Sequence, residues 1–177
     1  MKAKFLKIKD IKASANEGFT LIELLVVIGI LAILMGIVLI AINPAHQFAL
    51  ANDTNRRNAV AQILSGVGQY EAEHNGSLPP TITANAAYNP ATGLATTDIS
   101  DTGIDLCKDL VAATPQYLPA LPEDPLNNNG ADVTAVGTPP SCGTYTSGYK
   151  VAVDANKRVT ISAPKFEAAA TIIQVSR

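Results

Sequence analysis

The apolar positions of this chain fall into three patterns, each predicting a different element. From Phe19 to Ile42 the run is apolar all round, interrupted in polarity only by Thr20 and Glu23. As a helix at about 1.5 Å per residue it reaches ~36 Å, enough to cross a bilayer with some tilt. Asn43-Pro44 closes that run. Beyond it, Val60, Ile63, Leu64, Val67 and Tyr70 recur at helical spacing, an apolar stripe on an otherwise polar helix. Gly76 is placed to end it, since glycine takes the left-handed conformation cheaply. The pattern therefore predicts one long helix from Phe19 to Asn75, kinked at Pro44. Residues 19–42 form its transmembrane half and 43–75 an amphipathic continuation.

The third pattern is alternation. Tyr149, Val151 and Val153 alternate with Lys150, Ala152 and Asp154, Ala155-Asn156 is a turn candidate, and Val159 and Ile161 alternate in a return strand. Ala170 to Ser176 reads as a further strand. Between helix and strands, Ser77 to Gly103 is rich in Ala, Thr, Asn and Pro and reads as a long loop. Ile104, Cys107, Leu110 and Val111 return to helical spacing, with Asp101 or Thr102 as N-cap and Cys107 facing inward. A small antiparallel sheet at 149–176, packed on the stripe from Val60 to Tyr70, gives an α+β head over 76–177. With the long helix protruding from it, the expected shape is a lollipop.

Composition adjusts this picture only at the ends. The chain has 177 residues, 16% of them charged, and a net charge of −2. Residues 1–18 carry Lys2, Lys4, Lys7, Lys9 and Lys12 against Asp10 and Glu17, so the remainder is acidic. A basic segment before an apolar helix predicts a cytoplasmic N-terminus and a head outside. An acidic exterior argues against a nucleic-acid partner, which needs a basic patch. The apolar run is too long for a secretory h-region, so 1–18 is not an ordinary signal peptide. Outside the cytoplasm, the two cysteines Cys107 and Cys142 are expected to close a disulfide; unpaired thiols or a metal site are the alternatives.

The oddity of the apolar run is Glu23. A carboxylate inside a membrane segment is costly and usually has a partner or a task. The stretch Gly18-Phe19-Thr20-Leu21-Ile22-Glu23-Leu24, after its basic leader, resembles the cleavage and methylation signal of prepilins, the precursors of type IV pilins and type II secretion pseudopilins. Tyr70…Asn75-Gly76-Ser77-Leu78-Pro79 is similar to the junction after the long helix in that family. Leu121-Pro122-Glu123-Asp124-Pro125 is similar to a Leu-Pro-x-Asp-Pro stretch of pseudopilin heads.

The resemblance implies that a membrane peptidase and methyltransferase cuts after Gly18 and methylates the new amine of Phe19. It implies that an inner-membrane assembly platform then polymerises the subunit with other pilin subunits. The product is a surface or periplasmic filament, a type IV pilus or a type II secretion pseudopilus. In this family 77–103 is the variable region, and the Pro44 region resembles a segment that melts in filaments. A minor, tip-located binding protein for adhesion or DNA uptake is the alternative role. The chemistry is coherent. Cutting before Phe19 uncovers a cation one helical turn from Glu23, and the two charges attract strongly in a low-dielectric medium, within one subunit or between neighbours.

No phosphate loop, nucleophile elbow or metal-helix motif is present, so no enzyme and no cofactor is expected. His74 reads as a helix C-terminal residue favoured by the dipole rather than a metal ligand. Glu123, Asp124 and Asp132 read as a solvated acidic loop rather than a calcium site. Arg56-Arg57 reads as a solvated helix face, or a partner for acidic neighbours in a filament, rather than a nucleic-acid site. Asn52-Asp53-Thr54 and Asn75-Gly76-Ser77 match a short glycosylation pattern that arises often by chance. Gly29 and Gly36, on one face of the apolar helix, either let helices approach closely or are passively tolerated.

Overall fold

The computed structural model describes residues 18–85, 88–89, 94–95, 97–127, 130–138 and 140–177. The chain divides into two compact units between Asn43 and Pro44. Of the leader, 1–17 lies outside the described residues.

The first unit is built on helix α1, Leu21–Ile42. None of its residues is buried, and its mean hydropathy reaches 3.3 over an 18-residue window. It is the one helix among the described residues long and apolar enough to cross a membrane. A helix that apolar on every side needs apolar surroundings along its whole length. It ends at Asn43, which takes a left-handed conformation with φ 45°.

The second unit opens with helix α2, Pro44–Glu73. The expected single helix is thus two, separated by Asn43. The residue before a proline is pushed out of the helical region, and asparagine tolerates the left-handed one. Pro44 consequently stands at the first position of α2, where its missing N–H and fixed φ cost nothing. At the other end Asn75 and Gly76 are both left-handed, and Gly76 N–H donates to Glu71 O at 2.8 Å, a Schellman-type stop.

The apolar stripe is buried as its spacing demands: Val60, Ile63, Leu64 and Val67 all lie in the core. They pack on a four-stranded antiparallel sheet. The segment 77–103 is not the featureless loop that its composition suggests. It holds a short helix α3, Pro80–Asn85, a two-residue pairing of β1, Tyr88–Asn89, with β2, Leu94–Ala95, and the edge strand β3, Thr97–Ser100. Polar Thr97-Asp98 hides that strand from a hydrophobicity reading, yet Ile99 is fully buried. The strands β4, Thr146–Val153, β5, Val159–Ala163, and β6, Ile173–Ser176, complete the order β3-β4-β5-β6. Helix α2 lies along β5 and β6. The turn between β4 and β5 is longer than two residues. Asp154 accepts the N–H groups of Asn156 and Arg158, each at 2.8 Å, and Lys157 turns the chain at φ 63°.

The helix expected near Cys107 is a single π-helical turn, Cys107–Val111, closed by Ala112 N–H on Cys107 O at 2.8 Å. Its first turn is capped by neither Asp101 nor Thr102. Asp105 accepts from Lys108 N–H at 3.1 Å instead. Cys107 is buried there and bonded to Cys142, 35 residues later in the sequence. A loop of that length contributes about 4 kcal/mol in the chain-entropy account.

Candidate functional site

Two polar constellations stand out, one in each unit. The first sits at the start of α1. Thr20, extended at φ −78° and ψ 150°, is the N-cap, and Glu23 is the third helical residue. Thr20 N–H and Oγ1–H donate to Glu23 Oε2 at 2.9 and 2.8 Å, and Glu23 N–H donates back to Thr20 Oγ1 at 3.3 Å. This reciprocal capping box satisfies N–H groups that the helix cannot pair internally. It also gives the lone acid of the apolar helix two donors within its own chain. Sequence reading missed this cap, although T-x-x-E before an apolar run is its signature. The carboxylate stays exposed and retains acceptor capacity for a cation. Gly18 and Phe19 precede the box and are exposed.

The second constellation is buried, and it corrects the reading of Arg56 and Asp124 as solvated. Arg56 is among the largest fully buried side chains. Its Nε and Nη2 donate to both oxygens of Asp124, at 2.8 and 3.2 Å, a bidentate pair. Its Nη1 donates to Asp53 Oδ1 at 2.9 Å, and Nη2 also to Glu167 at 3.1 Å. Asp53 in turn accepts three successive backbone N–H groups: Glu167 at 3.0 Å, and Ala168 and Ala169 at 2.7 Å each. One helix residue thereby fixes two distant loops against α2. The loop bearing Asp124 comes so close to β4 that only glycine fits at 148. A Cβ there would lie 2.6 Å from the Asn127 amide and 2.8 Å from Asp124 Cβ, and its φ is 82°. The missed signal was the Asp53–Arg56 spacing of three, which places both on one helix face.

Burial opposes the charge on Asp53, but the N–H groups of Ala168, Glu167 and Ala169 and the Arg56 guanidinium outweigh it, holding the carboxyl at about 2. Burial likewise opposes the charge on Arg56, and Asp124, Asp53 and Glu167 outweigh it, raising the guanidinium above its ordinary value. The acid consequence has a definite sign. Asp53 is depressed on folding, so its stabilisation is complete above the ordinary value of 3.8 and is lost as pH falls through about 2. Asp53→Asn should lower stability at neutral pH and flatten the acid-unfolding curve between those two values. Circular dichroism during acid titration checks this.

The remaining candidates are dispersed. His74 stacks on Tyr70, ring centroids 3.9 Å apart, with Nδ1 2.9 Å from Tyr70 O at the C-terminal end of α2. Glu123 N–H reaches Asp132 at 3.4 Å. Among the described residues no three His, Cys, Asp or Glu side chains converge as metal ligands do. The Asn52 amide is engaged by Glu167, whereas Asn75 is exposed.

One comparison with known proteins falls on α1. Residues 14–39 match the family model described as the prokaryotic N-terminal methylation motif. The toxin coregulated pilin of Vibrio cholerae serotype O1 is 30% identical over 139 residues, 77% of this chain. The aligned part spans 58% of that pilin's length. No solved structure matches the chain. The motif on the apolar helix, the pilin homology and the α+β arrangement of a long N-terminal apolar helix followed by a four-stranded antiparallel sheet agree: the chain is a type IV pilin-like protein carrying the prepilin methylation motif.

Proposed function

We propose that this chain is a structural subunit of a type IV pilus or type II secretion pseudopilus, matured by cleavage between Gly18 and Phe19. A prepilin peptidase and methyltransferase then N-methylates Phe19, and the subunit polymerises with other pilin subunits through α1. Before assembly it is a single-pass membrane protein with a cytoplasmic N-terminus and its head on the far side. The observation that carries this reading is α1 itself. It is a 22-residue helix with no buried residue whose one charge is a capped carboxylate in its first turn. Such a surface is soluble only in lipid or among copies of itself. The methylation motif over 14–39 and the pilin homology support the same route.

Glu23 is assigned the assembly role. The Phe19 amine that cleavage uncovers on one subunit meets the Glu23 carboxylate of a neighbour, so two charges in a low-dielectric bundle are compensated together. That requirement fixes the axial offset between subunits. Pro44, with Asn43, marks the point where the helical run is most easily opened in a filament, because the ladder is already interrupted there.

The test is chemical. Protein isolated from cells should begin at Phe19 and carry one extra methylene mass. Gly18→Ala should accumulate as uncut precursor in the membrane fraction. Efficient maturation of that variant, or native protein retaining its lysine-rich leader, would overturn the proposal.

A further inference from the structure

Helix α2 turns a nearly uncharged face outward. After the buried Arg56 its sequence holds no Asp, Glu, Lys or Arg except Arg57 until Glu71. Thr54, Ala61 and Ser65 are exposed, short and neutral, and form a crest along the helix. An exposed helix in water ordinarily carries charges on its outer face. Arg57 stands on one flank of the crest. It is exposed, and among the described residues its side chain has no ion-pair or hydrogen-bond partner. Along the other flank runs a groove of about 320 Å³. Asn55, Asn58 and Gln62 of α2 form one wall. Glu123 and Asp132, from the segment closed by the pairing of Leu121 with Val133, stand on the other. Asp132 is exposed, and its one hydrogen bond is a long one, accepted from Glu123 N–H at 3.4 Å. At about 100° per residue, Arg57 lies ~130° around the helix from the middle of the amide wall. A helix about 10 Å across therefore keeps each Arg57 from its own groove.

We propose that this groove seats Arg57 of a second copy of the chain, with the neutral crest of α2 buried between the two heads. The chemistry is complementary. A guanidinium brings five donors and no acceptor, and the groove offers two carboxylates and three amide carbonyls. An exposed ion pair alone contributes little, but a crest of short side chains lets a neighbour approach closely and exclude water, which strengthens the pair. Seat and cation lie on different flanks of one helix, so a copy that receives Arg57 on one side still offers its own on the other. Such a contact is heterologous and propagates as an open chain. It rests on the reading that the chain polymerises, and it names the contact between heads that polymerisation makes.

The test uses filaments sheared from cells that express the full chain. Arg57→Cys and Asp132→Cys would be placed together in it. Cys107 and Cys142 are bonded to each other, so a short bis-maleimide reaches only the two new thiols. The expected result is a ladder of dimer, trimer and longer species joined between positions 57 and 132, and no ladder with either substitution alone. Arg57→Glu should lower filament recovery at least about tenfold, because a third carboxylate then meets the groove. Adding Glu123→Lys and Asp132→Lys to Arg57→Glu should restore recovery. No filament from the unaltered chain would overturn the polymerisation reading and the contact with it. Unaltered filaments, with full recovery of Arg57→Glu and no ladder, would overturn the contact alone. Cross-linking that stops at a dimer would make the contact isologous and overturn its propagation. Loss in Arg57→Glu that the two lysines do not restore, again without a ladder, would place the partner of Arg57 elsewhere and also overturn the seat.

Discussion

Arg56→Ala should destabilise the head by about 3–5 kcal/mol, the cost of leaving buried charge without its partner. The reason is the number of groups stranded. Asp53 and Asp124 are buried, Glu167 lies at the exposed edge, and all three direct oxygens at the one guanidinium. Domains are stable by only about 5–15 kcal/mol, so this single change takes a large share of the total. Arg56→Lys should fail nearly as badly, because an ammonium cannot bridge three carboxylates in a planar fork. The neighbour provides the control. Arg57 is exposed, and Arg57→Ala should shift stability by no more than about 0.5 kcal/mol. Chemical denaturation of the two alanine variants, followed through the head's circular dichroism, compares them directly. Equal midpoints would show that the cluster holds nothing together.

That contrast between adjacent arginines also marks where sequence reading runs out. Periodicity made the buried face of α2 and strands β4 and β5 legible, because each must hide a regular row of apolar side chains, and α1 was legible as an unbroken apolar run. It did not find β3, whose Thr97-Asp98-Ile99-Ser100 offers one inward apolar residue, and whose place in the sheet comes from pairing with β4. Nor did it find the Arg56 cluster. Its one local cue is Asp53, three residues before Arg56, whereas Asp124 and Glu167 lie 68 and 111 residues away along the chain. At the start of α1 the signal was local. Thr20 and Glu23 are three apart and their interaction is local, yet sequence reading paired Glu23 only with the Phe19 amine and missed the cap. The break at Asn43 lies between these cases. Proline announced a disturbance, but the left-handed asparagine that turns one helix into two is a backbone solution, not a pattern of hydrophobicity.

Glu23→Gln should separate the two tasks of that carboxylate. Glutamine at the third helical position still completes a capping box with Thr20, so the helix start survives. What it lacks is the charge. If cleavage leaves a cationic amine at Phe19 and the neighbour's Glu23 compensates it, an assembled Glu23→Gln filament buries an unpaired cation at every subunit. Several kcal/mol are at stake for each, and every 1.4 kcal/mol is a tenfold change in equilibrium. Filament recovered by shearing, or secretion that depends on it, should therefore fall about a hundredfold or more, while cleavage at Gly18 continues. Glu23→Ala should fall as far. Thr20→Ala removes the cap and keeps the charge, at a cost of only about 1 kcal/mol in the helix. Its filaments should persist at reduced yield. If instead Glu23→Gln assembles like the unaltered protein and Thr20→Ala does not, the carboxylate serves its own helix, and no charge pair between subunits sets the register.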